Sequence, residues 1–577
     1  MVFRNNDHGR KCHGHIKKER RVKRKSKPAK YAGQDFLNFT RQVCGTTNLQ
    51  VVAIWRLIMS EYIVNTKSGK VKGYLREGRI EYLGIPYAKP PVGELRFKRA
   101  QEIEPWDGVF DAKEYGPESV QFDEGQMKGS EDCLTINIQC PVVGENLPVF
   151  VYIHGGGYNT GGCNVPLYNG RSFVEEGIVY VAFQYRLNVL GFYDFTTYPG
   201  CEDFESNCGL SDQILAMQWI HENIAAFGGD PAQVTICGES AGGASVVNLL
   251  ACPAVKGTFQ QAIAQSGLPN CVCTHEMARE NIDLFMEGMG WTVEDLSKLR
   301  TDDPFSFLKG NNYVAERHQY KNPGMFLPGP VQDDLLPVRP IEAIRGGSAT
   351  GVKLIIGCNA HEGTTFVHPE NTGFPNSWVM VADMFEKNGN IEKFPDIIRY
   401  YHPNAEAYLK EFDEQAGKFG AAALISSDTS VSKVGVPFIN FATDYVFQMP
   451  AIKVAEGQKH YTDDVWMYRY DLVTKSGEES GLKASHAFDL PAMFANKDFH
   501  FSRFIFDGEQ EEVVEAIIRE MHGDWVRFTK TGEPNDEWPR YAGCDSEIRI
   551  FDRKTRTEKV DHTALMEVWG DMRFYEK

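Results

Sequence analysis

No run of 18 apolar residues occurs anywhere in the 577-residue chain, so no segment is built to cross a bilayer as a helix. The longest apolar stretch near the start, Leu49 to Met59, is short and broken by Arg56. A secretory leader is also missing, because no apolar segment with a small-residue cleavage site closely follows the basic start. The final Arg-Phe-Tyr-Glu-Lys is neither a retention signal nor a lipid-anchor signal. The thirteen cysteines lack metal-site or disulfide-framework spacing, and their odd number leaves at least one without an intramolecular partner. They read as reduced core residues, and Cys271-Val272-Cys273 as local packing. Cys12, His13 and His15 sit in a basic tail that offers no framework for a metal. The one glycosylation-type sequon, Asn38-Phe39-Thr40, precedes the globular part. Together these absences predict a cytoplasmic protein.

Excess positive charge is missing as well, and the net charge is −17. Residues 1–30 hold twelve Lys and Arg against Asp7 and Glu19, so the remainder is more acidic than the total suggests. An acidic body argues against nucleic acid as a partner. Residues 1–58, with Lys23-Arg24-Lys25-Ser26-Lys27, lack periodicity and are expected to be a disordered extension. A weak peripheral membrane or nuclear address is the sharper reading of that tail, and Met59 is an alternative start. Residues 59–577 are expected to form a single domain.

What is present is a series of short, nearly uninterrupted apolar runs separated by helical stretches. Pro148–Ile153, Ile178–Phe183, Val234–Cys237, Gln261–Ala264, Lys353–Ile356 and Val465–Tyr470 read as strands. Runs without polar alternation suit strands covered on both faces, hence a mostly parallel central sheet flanked by helices. Asp212 to Ala226 has helical spacing and is closed by Phe227-Gly228-Gly229-Asp230-Pro231.

The chemistry concentrates at Gly238-Glu239-Ser240-Ala241-Gly242, a Gly-x-Ser-x-Gly pattern after a predicted strand and before a helix-compatible stretch. A serine at the tip of a sharp strand-to-helix turn needs small neighbours, and Gly238 and Gly242 supply them. The N–H of Ala241 then sits at a helix N-terminus, facing developing negative charge. His154-Gly155-Gly156-Gly157 directly follows another predicted strand and offers further backbone N–H groups to an oxyanion. The two motifs together predict an α/β-hydrolase fold, in which the chain order is serine, acid, histidine.

From about Tyr62 to its end the sequence resembles the type-B carboxylesterase and cholinesterase-like family, and looks most like the intracellular insect α-esterases. The resemblance rests on the elbow and on Gly84-Ile85-Pro86-Tyr87-Ala88-Lys89-Pro90-Pro91-Val92-Gly93, Ser130-Glu131-Asp132-Cys133-Leu134, Tyr185-Arg186-Leu187, Gln265-Ser266-Gly267 and Thr531-Gly532-Glu533-Pro534-Asn535. It implies that the acid is Glu362, in Asn359-Ala360-His361-Glu362-Gly363, and the base His486, in Ala484-Ser485-His486-Ala487-Phe488-Asp489-Leu490. The residues alone do not single out His486 among fifteen histidines. The resemblance further implies an oxyanion hole of Gly156, Gly157 and Ala241, and ion pairs of Arg96 with Glu131 and Arg186 with Asp212. Glu239 and Ser266 resemble polar residues behind the nucleophile, without a catalytic role. The expected reaction is hydrolysis of small to medium lipophilic or xenobiotic esters, with no metal or organic cofactor.

Departures from the family pattern narrow this. Cys133 lacks the upstream cysteine that secreted members pair with it, because Glu118-Ser119-Val120-Gln121 occupies that stretch. The loop Gln121 to Ser130 has no tryptophan to receive a quaternary ammonium, which argues against acetylcholine. Glu239 replaces the Gln usual in juvenile-hormone esterases. Asn188 replaces a common family glycine, without a reason visible in the sequence. A lipase acting at an interface is the second enzyme reading, although no clear lid is visible. A non-catalytic, neuroligin-like interaction protein is the third, and the intact serine, acid, histidine and glycines speak against it.

Overall fold

The computed structural model describes residues 62–574, apart from 124, 270, 322–328, 368–373, 376, 420–435 and 571. The expected extension over 1–58 lies outside the described residues. Twelve strands form the path of one large sheet: β1 Tyr62–Thr66, β2 Gly69–Arg76, β3 Arg79–Pro86, β4 Thr135–Pro141, β5 Leu147–Ile153, β6 Val179–Phe183, β7 Gly229–Glu239, β8 Gln261–Gln265, β9 Lys353–Asn359, β10 Val465–Tyr470, β11 Asp545–Phe551 and β12 Arg556–Asp561. Their spatial order is β1-β2-β3-β4-β6-β5-β7-β8-β9-β10-β11-β12, and Val109–Asp111 pairs beside β2. From β6 through β11 every pairing is parallel, while β2–β3, β3–β4, β4–β6 and β11–β12 are antiparallel. This is the mostly parallel sheet expected from the unalternated apolar runs.

All six expected strands are present, and β7 extends well beyond its expected Val234–Cys237 core. The expected helix over 212–226 runs as Cys208–Asn223 and tightens into a 3₁₀ turn at Ile224–Phe227. Gly228 then takes φ 86°, the left-handed conformation that closes a helix and favours glycine. The central strands are buried on both faces. Val149 to Ile153, Val234, Ile236, Cys237 and Ala262 to Ala264 are fully covered. At about 25 cal/mol per Å² of buried apolar surface, this layer is the main source of the fold's stability.

Register brings the chemistry to one edge. Gly238 of β7 lies beside Ile153 of β5 and Ala264 of β8, and Glu239 lies beside Gln265. Gln265 in turn lies beside Gly357 of β9, and Asn359 beside Tyr470 of β10. The residues that follow these strand ends are His154, Ser240, Ser266 and the Glu362 turn. They all emerge at the carboxyl edge of the parallel sheet, where open α/β sheets place their sites.

Asn188 now has a physical account. It takes φ 48°, where asparagine and glycine are the tolerated residues. Its side-chain amide donates to the Val120 carbonyl at 2.6 Å. The asparagine therefore meets the same backbone demand as the family's glycine and adds a tether.

Candidate active site

Ser240 sits between β7 and the helix Ala241–Ala251 with φ 61° and ψ −124°. A non-glycine residue held in that region costs on the order of 1–3 kcal/mol, so the surroundings must impose it. They do so by crowding. A Cβ on Gly242 would stand 2.0 Å from the Ile153 carbonyl oxygen, so only glycine lets the helix start this close to β5. The Ser240 N–H donates to the Gln265 carbonyl at 3.0 Å, and the Ser240 carbonyl accepts from the Ala244 N–H at 2.8 Å. The serine is nearly buried, with 9% of its surface exposed.

The glycine run lies against this turn. A Cβ on Gly155 would stand 2.5 Å from the Glu239 carbonyl oxygen and 3.1 Å from the Ser240 Cβ. Gly156 and Gly157 take φ 114° and 62°, conformations open to glycine. The run is fixed from both sides. His154 stacks on Tyr185 with ring centroids 4.4 Å apart, and burial holds its imidazole down to about 4, so it stays neutral. Gln121, at the base of the short hairpin Gln121–Asp123 with Gln126–Lys128, exchanges two hydrogen bonds with the Gly161 backbone at 2.8 and 2.9 Å. The loop that lacks a tryptophan thus braces the glycine run.

Glu362 opens a short 3₁₀ turn after β9 and is fully buried. Its Oε2 lies 2.5 Å from His486 Nδ1. Its Oε1 accepts from the Ser266 hydroxyl at 2.5 Å and from the Asn359 N–H at 2.7 Å. Charge-assisted bonds of this kind fix both the carboxylate and the imidazole tautomer. Ser266 thus holds the Glu362 carboxylate through its hydroxyl.

Glu239 does not stay behind the nucleophile. Its Oε1 reaches 3.1 Å from His486 Nε2, a contact off the hydrogen-bonding direction. Ser240 and His486 form no hydrogen bond with each other, and the second imidazole nitrogen instead faces Glu239. Unliganded active sites often hold such pairs loosely. Burial lifts the Glu239 carboxyl far above the usual range, and the Asp489 and Glu362 carboxylates add to that while His486 opposes it. Burial disfavours the His486 imidazolium, but Glu239 and Glu362 outweigh it and raise the ring's proton affinity.

Three further features escaped the sequence reading. Asp489 is buried beneath the histidine and accepts from Gln265 Nε2 at 2.8 Å and the Tyr468 hydroxyl at 3.2 Å. Phe366 and Phe447 each place a ring 5.0 Å from the His486 ring and give the site an apolar wall. Asp489 stands in the histidine motif and Phe366 four residues after Glu362, so spacing from the motifs could have flagged both. Phe447 lies in the π-helical turn Asp444–Gln448, which no local pattern announces. The expected ion pairs are present as bidentate forks, Arg96 with Glu131 at 2.6 and 2.7 Å and Arg186 with Asp212 at 2.6 and 2.9 Å. Cys133 and Cys273 are buried free thiols.

A strained serine between a parallel strand and a helix, a glycine run against it, and a buried carboxylate–histidine pair at the same sheet edge define a serine hydrolase of the α/β-hydrolase class. The chain belongs to the carboxylesterase family, whose profile matches residues 60–569. It is 34% identical over 514 residues to the para-nitrobenzyl esterase of Bacillus subtilis (strain 168), covering 87% of this chain and 96% of that protein. It is 32% identical over 539 residues to rat (Rattus norvegicus) liver carboxylesterase 1F, covering 85% and 90%. With mouse (Mus musculus) cholinesterase it shares 29% identity over 521 residues, covering 84% and 82%. A solved PNB esterase structure superposes with a TM-score of 0.73 at 33% identity, covering 88% of this chain and 99% of the other. The protein is a carboxylic ester hydrolase.

Proposed function

We propose that this enzyme cleaves small to medium lipophilic esters through an acyl-enzyme on Ser240, with His486 as base and Glu362 as its orienting acid. The carrying observation is the Glu362–His486 pair, at 2.5 Å, at the same sheet edge as a serine in a strained turn. A free serine hydroxyl is a poor nucleophile, so His486 takes its proton as Ser240 attacks the ester carbonyl. Glu362 holds Nδ1–H, leaves Nε2 to act, and stabilises the imidazolium that forms. The N–H groups of Gly156, Gly157 and Ala241 receive the oxyanion, and losing one such donor typically costs about 10²–10³ in rate. The imidazolium protonates the departing alcohol. Water then attacks the acyl-enzyme with His486 again as base, and the acid leaves. Before the first step the imidazole must turn from Glu239 towards Ser240, beside the apolar wall of Phe366 and Phe447.

The preference for lipophilic esters draws on the aromatic wall and on the relatives, which include a phenmedipham hydrolase from Pseudarthrobacter oxydans. A duck (Anas platyrhynchos) relative described as a medium-chain fatty acyl-CoA hydrolase precursor keeps a lipid-ester substrate in view. The likeness to intracellular insect α-esterases rests on the sequence motifs, since the relatives reported above are bacterial and vertebrate. Among the described residues no helix is long and apolar enough to cross a membrane, and we assign the enzyme to the cytoplasm on the free Cys133.

An organophosphate places a tetrahedral phosphoryl centre where the oxyanion hole stabilises tetrahedral geometry. Treatment with a dialkyl p-nitrophenyl phosphate should therefore add one dialkylphosphoryl group per chain, on Ser240, by intact and peptide mass. Absence of a stoichiometric adduct on a folded chain would remove the assignment and favour an interaction protein.

A further inference from the structure

Tyr158 directly follows the glycine run and takes φ 56°, a region that bulky side chains rarely adopt. Its surroundings must hold it there. The Tyr158 carbonyl accepts from the Asn188 N–H at 2.7 Å. Its ring is buried, with its centroid 4.3 Å from that of Phe192. Its hydroxyl crosses to the helix Ala241–Ala251, where it lies 3.2 Å from Ser245 Oγ and accepts from Asn248 Nδ2 at 3.3 Å.

The direction of each bond in this cluster follows from the donors present. Ser245 Oγ donates to the Ala241 carbonyl at 2.9 Å and accepts from Gln213 Nε2 at 2.9 Å. A hydroxyl has one proton to give, so between Tyr158 and Ser245 the phenol is the donor. Burial raises the phenol's proton affinity and keeps that donor in place. The cluster thus joins Tyr158, one residue past Gly157, to Ala241, one residue past Ser240. Gly156 and Gly157 on one side and Ala241 on the other are the donors proposed for the oxyanion. A Cβ on Gly157 would meet nothing within 4 Å, and the anchor comes from the residue after it.

We propose, resting on that oxyanion hole, that the Tyr158 hydroxyl is a positioning group. Through Ser245 it fixes the glycine run against the Ala241 turn, so that donors from both stretches meet one oxygen. Misplacing a reacting group by about 1 Å can cost on the order of 10²-fold in rate. The ester oxygen carries its full charge only after attack, so the tether acts on the transition state more than on the bound ester. Formation and hydrolysis of the acyl-enzyme both pass through such an oxyanion. Loss of the hydroxyl should therefore slow both steps, lowering kcat and sparing KM.

The test compares the full chain with Tyr158→Phe, which keeps the ring and removes the hydroxyl, and with Ser245→Ala, which removes the other end. On p-nitrophenyl acetate each should lose about tenfold in kcat with KM near wild type, less than the roughly 10²–10³ of losing a donor outright. An alkyl trifluoromethyl ketone takes Ser240 Oγ at its carbonyl carbon, the Ser240 proton passes to His486, and an oxyanion is left in the hole. Its Ki should rise by the same factor, while that of the corresponding secondary alcohol, which forms no adduct, stays in place. The double variant should be no worse than the worse single one, because both act through one contact. Where Tyr158→Phe does not fold, Ser245→Ala carries the same expectation. A lowered unfolding midpoint with kcat and the ketone's Ki unchanged overturns the proposal, as does a multiplicative loss in the double variant. A folded wild type inert to both ester and ketone overturns the hydrolytic site and this tether with it. A wild type and a Tyr158→Phe variant inhibited equally by the ketone overturn the tether alone.

Discussion

Glu239 Oε1 stands 3.1 Å from His486 Nε2, so the imidazole lies between two buried carboxylates, with Glu362 on its other nitrogen. That relationship sets the pH behaviour expected of the enzyme. The base works only when neutral, and both carboxylates raise its proton affinity. The activity limb should therefore lie on the alkaline side of the ordinary imidazole value of about 6.5. Glu239→Gln removes one raising charge and should move the limb to lower pH by about 1 unit or more. Profiles of kcat/KM against pH for p-nitrophenyl acetate measure this, and an unmoved limb would show that Glu239 does not tune the base.

The same shifts fix the sign of the stability change. His486 and Glu239 both bind protons more tightly folded than unfolded. Stability from the charged His486 is fully present below about pH 6.5 and is lost as pH rises through its raised folded value. Ionising buried Glu239 acts in the same direction. The wild type should thus lose stability from neutral to alkaline pH more steeply than Glu239→Gln, as read by urea midpoints at each pH.

Ser266→Ala tests how the acid is held. The Ser266 hydroxyl is one of two donors to Glu362 Oε1, and Asn359 N–H is the other. A hydrogen bond to a charged group is worth about 1.5–3 kcal/mol, so kcat should fall roughly tenfold or more while KM and the unfolding midpoint stay near wild type. Unchanged kcat would mean that Asn359 alone suffices.

Arg186→Ala tests the structural pair. Asp212 is fully buried, and its carboxylate is met by Arg186 through two side-chain bonds and the backbone N–H. Removing the guanidinium leaves a buried charge unanswered, at a cost of about 3–5 kcal/mol. Arg186→Lys should recover little, because an ammonium cannot reproduce the planar fork. Urea unfolding midpoints decide it, and a near-wild-type midpoint for Arg186→Ala would contradict the account.

The elbow was legible in the sequence because its cause is local: a serine forced into a strained turn needs glycine on either side. The strands of the central sheet were legible because burial on both faces writes itself as unalternated Val, Ile and Phe. The histidine was not legible from its own surroundings. His486 reaches its place through a loop after β10, so its choice among fifteen depended on the family motif around it. The contact of Glu239 with that ring was illegible for the same reason, since it depends on where a segment almost 250 residues away passes over the sheet edge. Phe447 was hidden by its π-helical turn, and the Asn188 conformation is set by the carbonyls of Val120 and Tyr158, not by its neighbours in sequence.

The most direct test of the central claim is hydrolysis of p-nitrophenyl esters, from acetate through long acyl chains, by the full chain and by Ser240→Ala. We expect the parent to turn over short and medium chains and the folded variant to fall to the background rate. A parent that is folded yet inert on every chain length, or a Ser240→Ala variant that keeps the parent's activity, would contradict the account.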